Sequence, residues 1–193
     1  MEDGVNEYGL ATGLTFVYPK IRKAGLNAGM LVRYFLEKCR TVEEVLEKIK
    51  NLPIASAQTI TLADKTGDMA VIECNPEKVK IIYPEENYNF IVSANNFNSR
   101  EMREYKNPEG IDDWNSEERY RTAYEALKEN NCSFEFAVNL LSGKYGFMCQ
   151  YDRKKGADTV WSSIYILNEN KIYRAEGNPS RKKFREDKRL KFK

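Results

Sequence analysis

Residues 2–16, EDGVNEYGLATGLTF, decide how the rest of the chain is read. Gly4, Gly9 and Gly13 punctuate a run in which Val5, Leu10, Leu14 and Phe16 are apolar, the pattern of a tight turn leading into a buried strand. Chain starts are ordinarily polar and loosely held. This one carries glycine-shaped backbone and core residues that need neighbours already in place, so the expectation is a fold whose first strands lie upstream of this sequence.

Working outward, KIRKAGLNAG reads as a loop, and Met30 to Cys39 as a helix with Met30, Leu31, Tyr34, Phe35 and Cys39 at helical spacing. Thr41 caps a second helix, with Glu44 three residues on to reach back and Val42, Val45, Leu46 and Ile49 as its apolar stripe. From Gln58 the period changes to that of strands. Thr59 to Ala63 and Met69 to Cys74 are joined by DKTGD, in which Gly67 takes the positive φ of a turn, and Lys78 to Tyr83 and Phe90 to Ala94 add two more strands to an antiparallel sheet. Residues 98–115 read as a long loop, with Asn115 or Ser116 capping a helix that turns Tyr120, Ala123, Tyr124 and Leu127 one way. Ser133 opens another helix that ends at Gly143. Thr159 to Leu167 and Ile172 to Ala175, separated by NENK, make a closing hairpin. The fold class is therefore α+β with mainly antiparallel sheet: a single domain over residues 1–180, followed by a basic tail, 181–193.

Composition narrows the function. With 193 residues, 41% hydrophobic and 31% charged, the chain suits one globular domain and holds no apolar run of the roughly 20 residues that cross a bilayer. No membrane role is expected, and a cytoplasmic location is the default. Cys39, Cys74, Cys132 and Cys149 show no C-x-x-C spacing and read as reduced, mostly buried thiols. There is no histidine, which excludes Ser-His-Asp and Cys-His catalysis within the chain and removes the commonest metal ligand; no cofactor or metal is expected. The overall charge of +2 divides into about +6 on the tail and −4 on the body. Without an aromatic stacking series or an RNA-binding motif, that tail reads as a solvated extension and nucleic acid as an unlikely partner.

The string DGVNEYGLATGLTF resembles the D-G-[MV]-N-E-x-G-L-A segment of the choloylglycine hydrolase and penicillin acyltransferase group of N-terminal-nucleophile (Ntn) hydrolases. Further matches follow in order: ASAQTITLADKTGDMAVIE (55–73), IVSANNFNS (91–99), SEERYR (116–121) and DTVWSSIYILNENKIYRAEGNPS (158–180). The resemblance implies a four-layer αββα sandwich, here partial, because in the family the opening segment follows strands that carry a nucleophilic cysteine. It also implies chemistry on linear amides. The cysteine thiolate attacks, its own α-amino group serves as base, and water or an amine resolves the acyl-enzyme.

Three residues inherit candidate roles from the resemblance. Asn95, after the apolar run FIVSA, matches the asparagine of the T-N-[NH]-[PF] motif whose amide lines the oxyanion hole, with Asn96 as its substitute; Ala94 departs from the family threonine. Asn6 matches the position that supplies the other oxyanion donor, chiefly through its backbone N–H. Arg119 matches the arginine of S-x-R-[FY], placed to favour a thiolate and a negative acyl oxygen. Read from the residues alone, Asn6 and Asn95 are turn asparagines and Arg119 a helix-surface ion-pair partner. The functional expectation is the C-terminal portion of a cysteine Ntn amidase or acyltransferase acting on a small-molecule amide or acyl substrate, inactive as this chain alone and open to completion by an N-terminal segment in trans. The alternative is a non-catalytic scaffold or binding domain built on the same fold.

Overall fold

The computed structural model describes residues 2–151 and 153–189. They divide into two compact units, Met1–Glu117 and Glu118–Lys193.

The first unit is built on five strands, β1 (Asp3–Val5), β2 (Ala11–Phe16), β3 (Gln58–Ala63), β4 (Met69–Cys74) and β5 (Val79–Ile82), which lie side by side in chain order. Every neighbouring pair is antiparallel, because each link is a turn or a return through the helices that needs no crossover. In the DKTGD turn Gly67 has φ +97°. The register opposes Leu62 to Ala70 and Ile60 to Ile72, so strand alternation sends these four side chains to one face together with Cys74. Helices α1 (Ala28–Lys38) and α2 (Val42–Ile49) cover that face with Leu31, Phe35, Val45, Leu46 and Ile49. Burying each such aliphatic or aromatic side chain stabilises by about 1.5–3 kcal/mol, which makes this the main core of the unit. Helix α2 starts where the sequence says, whereas α1 starts two residues before the expected Met30, inside the stretch read as a loop. Asn27 Oδ1 accepts the Met30 N–H at 2.9 Å, and Thr41 Oγ1 accepts that of Glu44 while Glu44 Oε2 accepts the Arg40 N–H at 2.8 Å.

The opposite face of the sheet carries a polar patch beside the apolar Val71 and Ile82. Thr15, Thr59 and Thr61 alternate with the core residues of β2 and β3, and Glu73 with those of β4. Phe90–Ala94, expected as a further strand, joins no β-ladder among the described residues. Side chains hold it instead: Thr15 Oγ1 donates to the Ala94 carbonyl at 2.7 Å, and the Thr61 and Ser93 hydroxyls pair at 2.6 Å. A run such as FIV has the same sequence pattern whether it enters a ladder or lies across a sheet. Phe97 and Met102 then bury fully against Val17 and Ala57 in a second, smaller cluster.

In the second unit, α3 (Ser116–Glu129) begins at the boundary and α4 (Phe134–Leu141) is capped by Ser133, whose Oγ accepts the Phe136 N–H at 3.1 Å. The α3 start differs from expectation. Trp114 and Asn115 are both left-handed, at φ 58° and 53°, so Asn115 lacks the extended backbone of an N-cap, and the Ser116 N–H goes to Asp113 Oδ1 at 3.2 Å. The hairpin is present as β6 (Trp161–Ile166) and β7 (Lys171–Glu176), turned at Asn170 with φ 52°. Arg185–Glu186, in the stretch read as an extension, adds a third antiparallel strand, β8. Lys191 and Lys193 of that stretch lie outside the described residues. Among the described residues no helix is long and apolar enough to cross a membrane.

Candidate active site

Asn95 follows the strap 90–94, which side chains of β2 and β3 hold against the sheet. Its Nδ2 donates to the Phe16 carbonyl at the end of β2 at 2.9 Å, and its own carbonyl accepts from Asn107 Nδ2 at 2.7 Å. Asn107 Oδ1 in turn accepts the Tyr18 N–H at 3.0 Å, so one amide fixes both the strap and the chain leaving β2. Asn95 is thus aimed at β2 by bonds on either side of it. Beside it the Thr15 and Thr59 hydroxyls are in close hydrogen-bond contact across the β2–β3 register. Asn96 Oδ1 is buried without a hydrogen-bond partner among the described residues.

Glu73 anchors the far side of the turn. This residue is 1% exposed, and its carboxyl group accepts the Asn98 N–H at 2.5 Å, the Ser99 N–H at 3.2 Å and the Ser99 hydroxyl at 2.5 Å. Three donors converging on one buried carboxyl leave residues 95–99 little freedom. Sequence reasoning missed Glu73 and Thr15 because both occupy alternate strand positions, where threonine is an ordinary strand residue and a glutamate an ordinary exposed one.

Asn6 is elsewhere. Its Nδ2 donates to the carbonyls of Leu36 at 3.0 Å and Cys39 at 2.7 Å, and its Oδ1 accepts the N–H groups of Tyr8 and Leu10, both at 3.1 Å. The side chain therefore closes the β1–β2 turn and satisfies carbonyls at the end of α1. Its backbone N–H, the group expected at an oxyanion, donates to the Leu10 carbonyl at 2.9 Å. Asn6 and Asn95 sit at opposite ends of β2, separated by six residues or about 20 Å of strand. The structure does not bring the two asparagines together; Thr15 and Phe16 are the β2 residues at Asn95. Arg119 lies in the first turns of α3, half-buried, in the second unit.

The thiols are poor nucleophiles. Burial pushes Cys74, which is 0% exposed and receives a hydrogen bond from Gln58 Nε2 at 3.0 Å, up to about 12. Burial likewise raises Cys39 to about 11 and lifts Cys149 above its ordinary value, so all three stay protonated at neutral pH. Cys132 is exposed, between α3 and α4, and the sequence has no histidine to activate it.

In backbone the chain is similar to a mutant of conjugated bile acid hydrolase from Clostridium perfringens, with a TM-score of 0.61 and 15% identity, covering 98% of this chain and 77% of that one. A second variant of that hydrolase gives 0.60 and 18%, covering 99% and 78%. Penicillin V acylase from Agrobacterium tumefaciens gives 0.58 and 16%, covering 91% of this chain and 62% of its own. At these identities the likeness is one of fold, and it is the Ntn-hydrolase fold with antiparallel sheets expected from the sequence. No curated protein matches the sequence closely enough to count as a relative. The model of the family described as acyl-coenzyme A:6-aminopenicillanic acid acyl-transferase matches residues 1–181, nearly the whole sequence, and the chain belongs to that family.

Proposed function

We propose that this chain is the acyl-stabilising portion of a cysteine Ntn amidase or acyltransferase for linear amides, without a competent nucleophile among its own residues. The observation that carries the reading is Asn95, whose side-chain amide donates to the Phe16 carbonyl and whose backbone carbonyl accepts from Asn107, in a chain of this family. Asn95 donates to the developing oxyanion through the Nδ2 hydrogen not given to Phe16, and Thr15, whose hydroxyl proton goes to the Ala94 carbonyl, holds the strap beside it. The sequence resemblance gives Arg119 the role of favouring negative charge on the acyl oxygen. Glu73 is a positioning residue, holding the turn that carries Asn95. The raised pKa values of three thiols, and the lack of a histidine beside the fourth, support a nucleophile supplied by a further segment, with an N-terminal cysteine whose α-amino group acts as base. Four free thiols fit a reducing, cytoplasmic setting.

The test uses penicillin V, glycocholate and an N-acyl amino acid as substrates. The chain alone is expected to give no turnover above that of a form with all four cysteines changed to serine. Adding a segment that begins with cysteine should restore hydrolysis, and Asn95→Ala should then lower kcat about 100- to 1000-fold. Turnover by the chain alone that persists in Asn95→Ala overturns the reading.

A further inference from the structure

A basic hollow on the β7–β8 ribbon has no part in the site above. Arg174 and Arg185 are direct cross-strand partners, so two guanidinium stems leave one face of the ribbon about 5 Å apart at Cβ. Like charges so placed cost stability unless something negative lies between them. Two residues along each strand, on the same face, are Glu176 and Asp187. Both are already engaged. Arg189 bonds Asp187 through Nε at 2.8 Å and Nη2 at 2.7 Å, and its Nη2 lies 3.4 Å from Glu176. Asp187 also stands 3.8 Å from Arg174 Nε, too far for a hydrogen bond, and that buried Nε has no hydrogen-bond partner.

The remaining cations are uncompensated. Lys182, Lys183, Arg185 and Lys188 form no ion pair with the described residues, and the stem of Lys182 is packed over Gly177, where an added Cβ would come within 3.0 Å of its Cγ. With Arg174 and Arg189 they line a cavity of about 600 Å³, whose carboxylates are Glu176, Glu186 and Asp187, for a net +3. That volume falls in the range of small-molecule sites, roughly 300–1000 Å³. Two linked phosphates bring about three negative charges and the planar oxygen pairs that guanidinium forks engage. Among the described residues no aromatic side chain lines the hollow, so they offer no stacking platform of the kind a single-stranded nucleic-acid site uses.

We propose that this hollow binds a small ligand bearing two or more linked phosphates, held by Arg174 and Arg185 with Lys182, Lys183 and Lys188 at the rim. The inference does not use Asn95 or the amide chemistry and stands or falls separately from them.

Calorimetric titration of the full chain with inorganic pyrophosphate, tripolyphosphate and sulfate at matched ionic strength tests it. Both polyphosphates should bind more tightly than sulfate by about tenfold or more, and Arg185→Gln and Lys182→Gln should each weaken pyrophosphate by a similar factor. Arg185→Gln relieves the cross-strand repulsion, so its ligand-free Tm should equal or exceed that of the parent, which separates lost binding from lost folding. Lys65→Gln, on the β3–β4 turn of the other unit, should change nothing. Pyrophosphate binding no tighter than sulfate, equal weakening by Lys65→Gln, or retention of a DNA duplex without affinity for pyrophosphate would each overturn the proposal in favour of a diffuse basic surface.

Discussion

At the scale of the residue, Glu73 is the position where a single change should be felt most. It offers its carboxyl group to Asn98 and Ser99 from a site that is 1% exposed, and among the described residues no other acceptor serves those donors. Glu73→Ala leaves two backbone N–H groups and a hydroxyl without their acceptor, at an expected cost of about 3 kcal/mol, read as a lower urea midpoint with an unchanged m-value. Glu73→Gln keeps one acceptor and should recover part of that loss. An equal loss in both variants would mean that the charge, not the acceptor geometry, holds the turn. Residues were legible in the sequence where chemistry and local geometry coincide. Asn95 has a distinctive neighbour pair and a strand-like run before it, whereas Thr15 is indistinguishable from any half-buried strand threonine until the strap is seen to cross it. The Asn6 expectation rested on motif likeness; its amide is consumed by carbonyls 30 and 33 residues away, contacts that no local pattern reveals.

At the scale of the element, the clearest coupling is between α2 and the β3–β4 turn. Asp64, 4% exposed, accepts the Val42 N–H at 2.9 Å, the Thr66 N–H at 2.9 Å and the Thr66 hydroxyl at 2.5 Å, and so serves as a second cap for α2 from another part of the chain. Burial alone would raise its pKa, but these hydrogen bonds, with one from Asp68, hold it below the ordinary carboxylate value. A carboxyl group with a depressed folded-state pKa adds stability that is complete above its unfolded pKa, about 4, and is lost as pH falls through the folded value. The stability gap between the parent and Asp64→Asn should therefore be open at pH 7 and narrow below about pH 4; a gap independent of pH would show that only shape matters. Helices α2 and α4 and the hairpins were legible because caps, stripes and turn residues agree there, whereas α1 and α3 were legible by their apolar stripes and not by their exact starts. Two features were not legible. The strap 90–94 needed knowledge of which hydroxyls lay beneath it, and β8 is only two exposed charged residues with no apolar alternation to announce a strand.

At the scale of the whole molecule, the sequence foretold the α+β class and the family fold through motifs in a fixed order, while its own periodicities gave strands and helices without their layering. The reason is physical: alternation tells which side of a strand is apolar, not what covers it. In the first unit the apolar face is covered by α1 and α2, and part of the opposite face by the strap, an arrangement that places hydroxyls and a buried carboxyl group where a second apolar layer would otherwise pack. The division at residues 117 and 118 also distributes the chain's two tryptophans, Trp114 stacked on Tyr18 in the first unit and Trp161 on β6 in the second. Each unit thus carries its own fluorophore. Changing either indole to phenylalanine leaves an emission signal that belongs to one unit alone, so the unfolding of each can be timed without a label.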